Sequence, residues 1–339
     1  MCIEKYLKTC SVVSRVAQDT DEKGWLAARN KGIGGSDIGP ICGVSPFTSA
    51  RQIYLNKTGQ YPTQLKTNTA ASERMYFGHK LEPIVADEYA ARVLCEGGDH
   101  PDLHLVNYNV TLRHNEYTWA LANVDRFIVD KNNVPVGILE CKTTSEYMND
   151  EWANGELLLT YLYQLNWYLF VTGLQWGAFA CLVGGNKFYT YEVVRNDELI
   201  NDILIPNAEH FWNHNVRNLI EPALQAQDTE FINGLYDTVV KNSEIAFTDE
   251  AFNDLAAVAY GCKQQIKELK AEMEAAQNAI KERMQDNEIA YCNDYMVKWK
   301  LRNQSRVDTS LLKARYPDVY EDCLKRSSYR AMTITYIES

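Results

Sequence analysis

Two periods of hydrophobic and polar residues alternate along the first part of the chain. Residues 22–30 and 36–42 read as short helices on either side of "KGIGGSDIG" (31–39), and "SARQIYLNKTG" (49–59) reads as a helix stopped by Gly59. "YPTQLKTNTAAS" (61–72) is polar and turn-rich, which predicts a mobile loop. Helical spacing returns in "YFGHKLEPIVADEYAARVL" (76–94), with Leu81, Ile84, Val85 and Tyr89 on one face. Pro83 falls near the expected start of this helix, where proline is tolerated.

The period then changes. "HLVNYNVTLRH" alternates, and "TWALANVDRFIVD" and "VPVGILECKTT" are β-rich runs joined by "KNN", a hairpin signal. "GELLLTYLYQLNWYLFVTG" predicts a strongly apolar helix closed by Gly173, and "WGAFACLVGG" with "KFYTYEVVR" predicts a second hairpin around Gly184, Gly185 and Asn186. Helix, hairpin, helix, hairpin implies an α/β domain with a mixed sheet.

From Asn207 the chain reads as helical. Leu255, Val258, Cys262, Ile266, Leu269, Met273, Ala276 and Ile280 recur every three or four residues between Lys, Glu and Gln. This predicts a long amphipathic helix, either an antiparallel arm or a coiled-coil contact. Intramolecular packing is favoured, because a short seam with Cys and Ala in it makes a weak zipper. The tail reads as a strand, a basic turn, a helix and a final strand.

Composition narrows the classes. With 339 residues, 46% of them apolar, the chain can bury one large or two modest cores. Its nine cysteines are scattered without C-x-x-C, which argues against a disulfide framework or zinc ribbon and fits a reducing cytoplasm. No long apolar run or leader-like start is present, so the expectation is a soluble, unexported, cytoplasmic protein with no membrane partner. The net charge of −11 speaks against nucleic acid, yet it is segregated. Residues 1–82 hold 11 Lys+Arg against 7 Asp+Glu, and residues 298–330 hold 9 against 4. That pattern suits a basic channel with a repelling outer face, and a solvated acidic surface explains it equally well.

The glycine stretch matches no nucleotide loop. Asp37 stands where a dinucleotide loop needs its third glycine, no Gly-Lys-Ser/Thr ends it, and Ile38 breaks the G-x-S-x-G of a nucleophile turn. What remains is Ser36 as an N-cap, glycines that permit unusual dihedrals, and helix N–H groups that suit an anion, with Arg29 able to contribute a guanidinium fork. A plain capped helix start accounts for the same residues.

Asp125 lies on one expected strand, and Glu140 and Lys142 lie two apart on the next, so the last two share a face. Two carboxylates from adjacent strands make a hard-oxygen site suited to Mg²⁺ or Mn²⁺, and the lysine can position or deprotonate a water. Alone, this D…(D/E)-x-K pattern is as readily a surface ion pair. Glu82 in "GHKLEP" offers a third carboxylate. Gln164 and Tyr168 sit at i and i+4 of the following helix, and an amide in the apolar run "YLYQLNWYLF" requires a partner.

Taken in order, "WLAARNKGIGGSDIGPICGVSPF", "FGHKLEPIVADEY", "ANVDRFI…GILECKT" and "YLYQLNWYLFVTG" resemble the lambda-exonuclease or YqaJ-type viral recombinase family of PD-(D/E)xK nucleases, over residues 24 to about 195. The resemblance implies a restriction-endonuclease-like core at 1–205, a mixed central sheet flanked by helices, followed by a mainly helical extension at 206–339. It implies Mg²⁺-dependent digestion of double-stranded DNA from an end, 5′ to 3′, with the product passed to a single-strand annealing protein. By position, Glu82, Asp125 and Glu140 would bind metal, with the Cys141 carbonyl a further ligand. Lys142 would act on the attacking water, Gln164 would support the site with Tyr168 beside it, and Arg29 and Ser36 would hold the terminal 5′-phosphate.

Asp130 competes with Asp125 as the first carboxylate, and Asp125 is favoured because "ANVDRF" matches while Asp130 falls in the turn. The extension leaves a homo-oligomeric ring open, and the scattered cysteines do not support an iron–sulfur cluster. His210 and His214 lack the glutamate of H-E-x-x-H, so packing or surface roles are expected, and Trp119, Trp152, Tyr161 and Trp167 are expected in the core. The rival functions are an endonuclease or single-strand nuclease on the same site, and a non-catalytic DNA-end-binding protein.

Overall fold

The computed structural model describes residues 3–16, 20–61, 69–325 and 329–337. The chain divides into two compact units, Met1–Leu235 and Tyr236–Ser339. The first opens with β1 (Cys10–Ser14), α1 (Glu22–Arg29), α2 (Gly35–Ile41), α3 (Ala50–Lys57) and α4 (Thr69–Val93). It continues through β2 (His104–Val106), β3 (Thr111–His114), β4 (Leu121–Ala122), β5 (Arg126–Val129) and β6 (Pro135–Thr144). Helices α5 (Asn149–Ala153) and α6 (Leu159–Thr172) then lead to β7 (Trp176–Val183) and β8 (Lys187–Val194).

Five strands form the central sheet in the order β2-β5-β6-β7-β8. β6 and β7 run parallel and the other neighbours antiparallel, so the sheet is mixed. A parallel pair needs a long crossover, and α6 lies within it. That explains a helix apolar on all sides: Leu165, Trp167, Leu169 and Val171 are fully buried, and the helix stops at left-handed Gly173 (φ 75°). On the other side of the sheet Val85, Tyr89 and Val93 of α4 pack with Ile128, Leu139 and Ala178. Helices thus cover both faces. β1, β3 and β4 form a smaller separate sheet.

Several expectations change. α4 begins at Thr69, well before residue 76, so Pro83 lies in its interior and removes one donor from the helix ladder. Its packed face is Val85, Tyr89 and Val93, four apart, which turns Ile84 out to solvent. Of the expected loop at 61–72, residues 62–68 lie outside the described residues. Beyond β8 a continuous helical stretch alternates α7 (Asp197–Leu199) and α8 (Ile205–His210) with π-helical turns at Ile200–Leu204 and Phe211–Val216. Ile200, Leu204, Ala208 and Phe211 bury one stripe of it. With α9 (Thr229–Leu235) and the buried bond from Ser49 to Asp228, this carries the first unit to Leu235.

The glycine stretch shows a different use of glycine. None of Gly32, Gly34, Gly35 and Gly39 has a positive φ. Gly35 and Gly39 instead face α6, where a Cβ would fall on the Tyr168 ring and on the Thr160 side chain. Four residues apart on one side of α2, they let two helices approach more closely than any side chain would allow.

The second unit contains α10 (Glu250–Met284), a hairpin of β9 (Ile289–Tyr291) and β10 (Met296–Lys298), and the short helices α11 (Thr309–Arg315) and α12 (Pro317–Asp322). Within the second unit the stripe Leu255, Val258, Ile266, Leu269, Met273 and Ile280 on α10 is exposed, so the favoured intramolecular packing is not made inside that unit. The expected final strand is not formed by the described residues 329–337, where Tyr329, Met332, Tyr336 and Ile337 are exposed. A lone segment without a sheet edge gains no ladder bonds. Among the described residues, no helix is long and apolar enough to cross a membrane.

Gly35→Ala and Gly39→Ala should each lower stability by roughly 1–3 kcal/mol through overpacking. Gly34→Ala should change it little, because a Cβ there meets nothing nearer than 3.5 Å. Thermal unfolding of the three variants tests the contrast, and equal behaviour would remove the close-approach explanation.

Candidate active site

The β5–β6 pairing places Arg126 opposite Leu139, so Asp125, just before β5, comes level with Glu140 and Cys141. The Asp125 carboxylate accepts the Cys141 N–H at 2.8 Å. Glu140 and Lys142 project from the same face of β6, with Lys142 Nζ 2.7 Å from Glu140 Oε1. The α6 crossover brings Gln164 over them. Its Oε1 accepts from Lys142 at 2.9 Å, and its Nε2 donates to Glu140 Oε1 at 2.5 Å and to the Tyr168 hydroxyl at 3.2 Å. The awkward amide thus has its partners. Tyr161, one helical turn earlier, presents its ring 4.9 Å from Lys142 Nζ.

This grouping perturbs every charge in it. Burial, then the nearby charges of Glu140 and Glu82, push the Asp125 carboxyl well above its usual range. Burial also raises Glu140, although Lys142 and Gln164 oppose it. Burial disfavours the Lys142 ammonium, but Glu140 and Asp125 more than reverse this and hold it above the ordinary lysine value. Lys142 is therefore favoured as an ammonium, which donates to Glu140 and Gln164.

Glu82 arrives from α4 but does not join the group directly. It ion-pairs with Arg126, Nη1 to Oε1 at 2.6 Å, and Arg126 Nη1 also donates to the Asp125 carbonyl at 2.6 Å. Among the described residues no three His, Cys, Asp or Glu side chains converge closely enough to hold a metal ion. The expected meeting of three carboxylates is thus reduced to two, because a buried guanidinium captures the third. Asp125 and Glu140 nevertheless have the chemistry of a hard-cation site. Glu140 Oε2 is buried without a hydrogen-bond partner, and a divalent cation suits such an oxygen.

The glycine corner is joined to this cluster through the Gly35–Tyr168 contact. Ser36 is not the N-cap of α2. Gly34 is, and the Asp37 carboxylate accepts the Gly34 N–H at 2.8 Å. Asp37 takes this place because it is also the counter-ion of Lys57, 2.7 Å away, whose side chain is only 4% exposed. Lys57 in turn donates to the Arg29 carbonyl at 3.1 Å. Ser36 is exposed and accepts from Arg29 Nη2 at 2.5 Å, while the guanidinium lies over the Trp25 ring at 4.7 Å. Arg29 and Ser36 are therefore adjacent. Burial raises Asp37, but the charges of Lys57 and Arg29 and the Gly34 N–H outweigh it and hold the carboxyl below its usual range.

Asp130 stands apart. It closes the β5–β6 turn by accepting the N–H groups of Asn132 and Val134, at 2.9 and 2.8 Å. His210 and His214 stack on each other at 4.7 Å, and the described cysteines are all free. Trp119, Trp152 and Trp167 are buried, while Tyr161 is half-buried against Lys142. Arg126, Asp37 and Lys57 carry the surrounding charge pairs and were not anticipated. Arg126 had a usable signal, a charged residue amid the β-rich "ANVDRFIVD", whereas nothing in sequence links Lys57 to Asp37.

The pattern of the YqaJ-like viral recombinase domain matches residues 24–175, a span that contains all of these residues up to Tyr168. The uncharacterised protein YqaJ of Bacillus subtilis (strain 168) is 37% identical over 314 residues, covering 91% of this chain and 93% of its own. The chain belongs to the YqaJ family. Among solved structures, this YqaJ-family chain is similar to the alkaline exonuclease LHK-Exo of Laribacter hongkongensis, with 18% identity, TM-score 0.46 and coverage of 59% of this chain and 94% of that one. A phage-related exonuclease from Haemophilus somnus 129PT gives 12% identity, TM-score 0.39 and coverage of 56% and 96%.

In this YqaJ-family chain Asp37→Asn would leave the Lys57 ammonium buried without its countercharge. The expected cost is roughly 3–5 kcal/mol, and adding Lys57→Met should recover much of it. Because the folded carboxyl is held low, the pair's stabilisation is present above the unfolded carboxylate value and is lost as pH falls through the folded one. Urea denaturation across the acid range should therefore show wild type and Asp37→Asn converging at low pH. A constant gap would contradict the ion-pair account.

Proposed function

We propose that this YqaJ-family protein is a metal-dependent DNA exonuclease, a phosphodiester hydrolase that degrades linear double-stranded DNA from its ends, 5′ to 3′, in phage-type homologous recombination. The observation that carries the reading is the Asp125–Glu140–Lys142–Gln164 cluster, built from β5, β6 and α6 in one hydrogen-bonded group. Its place within the matched family domain supports the same reading.

Asp125, Glu140 and the Cys141 carbonyl would hold Mg²⁺, or Mn²⁺, with Glu82 as a further carboxylate. Bound there, the cation supplies Lewis-acid neutralisation of the scissile phosphate and the departing 3′-oxygen. Lys142, kept protonated by Glu140, orients the attacking water and donates to the phosphate as charge accumulates. Gln164 fixes both Glu140 and Lys142, and Tyr168 fixes Gln164. Asp125 rather than Asp130 fills the first carboxylate role, since Asp130 is committed to its turn.

Arg29 and Ser36 receive the terminal 5′-phosphate. Their mutual bond at 2.5 Å gives a guanidinium and a hydroxyl side by side. Each cut leaves a new 5′-phosphate for the same pair, which accounts for polarity and repeated cutting. The exposed single strand then passes to an annealing protein in the host cytoplasm, and self-association of the nuclease is compatible with this scheme.

Glu140→Ala should abolish Mg²⁺-dependent digestion of linear duplex DNA, by at least about 10³-fold, while duplex binding persists. End-labelled substrates with and without EDTA check this, and full residual activity would refute the site. Cutting of closed circular DNA would instead favour an endonuclease.

Arg29→Ala should erase most of the preference for 5′-phosphorylated over 5′-hydroxyl ends. Competition between the two substrates measures it, and an unchanged ratio removes the phosphate role.

A further inference from the structure

Arg126 is buried beside the carboxylate cluster, with 9% of its side chain exposed, whereas its partner Glu82 retains 25%. The two partners are not equally fixed. Arg126 Nη1 is held a second time by the Asp125 carbonyl at 2.6 Å, and β5 is paired on both sides. Among the described residues the Glu82 carboxylate bonds only to Arg126, and it projects from α4 beside Pro83, which cannot donate into the helix ladder. The carboxylate is the member with room to turn.

Glu82 is also near enough to raise both Asp125 and Glu140 electrostatically, yet no three acidic side chains among the described residues converge. For Glu82 to join Asp125 and Glu140 around a cation, its bond to Arg126 must break. We propose that Arg126 is a resident cation that occupies Glu82 in the metal-free protein and surrenders it when a divalent metal binds, so that this ion pair sets the metal affinity. Arg126 acts through Glu82 and is a positioning residue. The inference rests on Asp125 and Glu140 holding a metal.

The physical consequence runs against intuition. Removing the guanidinium takes away a competitor for Glu82 and a positive charge beside the cation, so metal binding should strengthen. For a partly exposed ion pair the effect should be about fivefold.

Calorimetric titration of the full chain with Mn²⁺ tests this without reference to activity. Arg126→Gln should bind Mn²⁺ about fivefold tighter than wild type. The same substitution in a Glu82→Gln background should give a gain of less than about twofold, the share due to the lost positive charge alone, because the contested carboxylate is gone. Unchanged or weaker binding by Arg126→Gln overturns the proposal, as does an equal gain in both backgrounds. If wild type and Glu140→Ala bind Mn²⁺ equally, or neither binds, the metal reading itself fails, a different result from the first. Should Arg126→Gln not fold, a crystal structure of wild type with Mn²⁺ decides: Glu82 should have left Arg126, and an intact Glu82–Arg126 pair with metal bound overturns the exchange.

Discussion

A carboxylate buried in the middle of a sheet constrains everything around it. Glu140 lies at 3% exposure on the central strand β6, preceded by Ile138 and Leu139 with no exposure at all. Without partners such a charge would be expelled or neutralised. Lys142 and Gln164 provide those partners, and they come from different elements. The requirement therefore extends from strand to crossover helix. To hold Gln164 in place α6 must pack tightly, and it does so against an α2 whose facing positions are Gly35 and Gly39. Glycines that match no nucleotide loop are thus needed for helix contact, and Arg29 and Ser36 lie at the same corner.

Much of this was legible from the pattern of residues. Periodicity located the mixed sheet, the apolar crossover helix and the hairpin that joins Asp125 to Glu140, because two-residue and 3.6-residue repeats have direct spatial meaning. The buried amide of Gln164 announced that it required a partner. What was hidden depended on competition between partners far apart in sequence. Ser36 is a good N-cap in isolation, but Asp37 displaces it since it also neutralises Lys57 twenty residues later. Glu82 reads as a third carboxylate in isolation, and nothing near it in sequence announces its pairing with Arg126. Neither outcome follows from local propensity.

The limits of periodicity differ between the units. In α4 the helical repeat was correct, yet the packed face was misplaced by one residue at Ile84, since both candidate faces contain apolar side chains. In the second unit the repeat of α10 identified a long helix, and amphipathicity alone does not say what meets its apolar side.

The parallel pairing of β6 with β7 has a consequence for assembly of the chain. Asp125 and Glu140 become neighbours as soon as a hairpin closes, a local event. Gln164 joins only after α6 has crossed the sheet and β7 has docked, which demands contacts of much greater sequence separation. A chain opened at the crossover would keep the carboxylates of the hairpin together without their organising amide. Any cation that the finished cluster retains also resists reopening of that crossover, because it binds the assembled arrangement in preference to the open one.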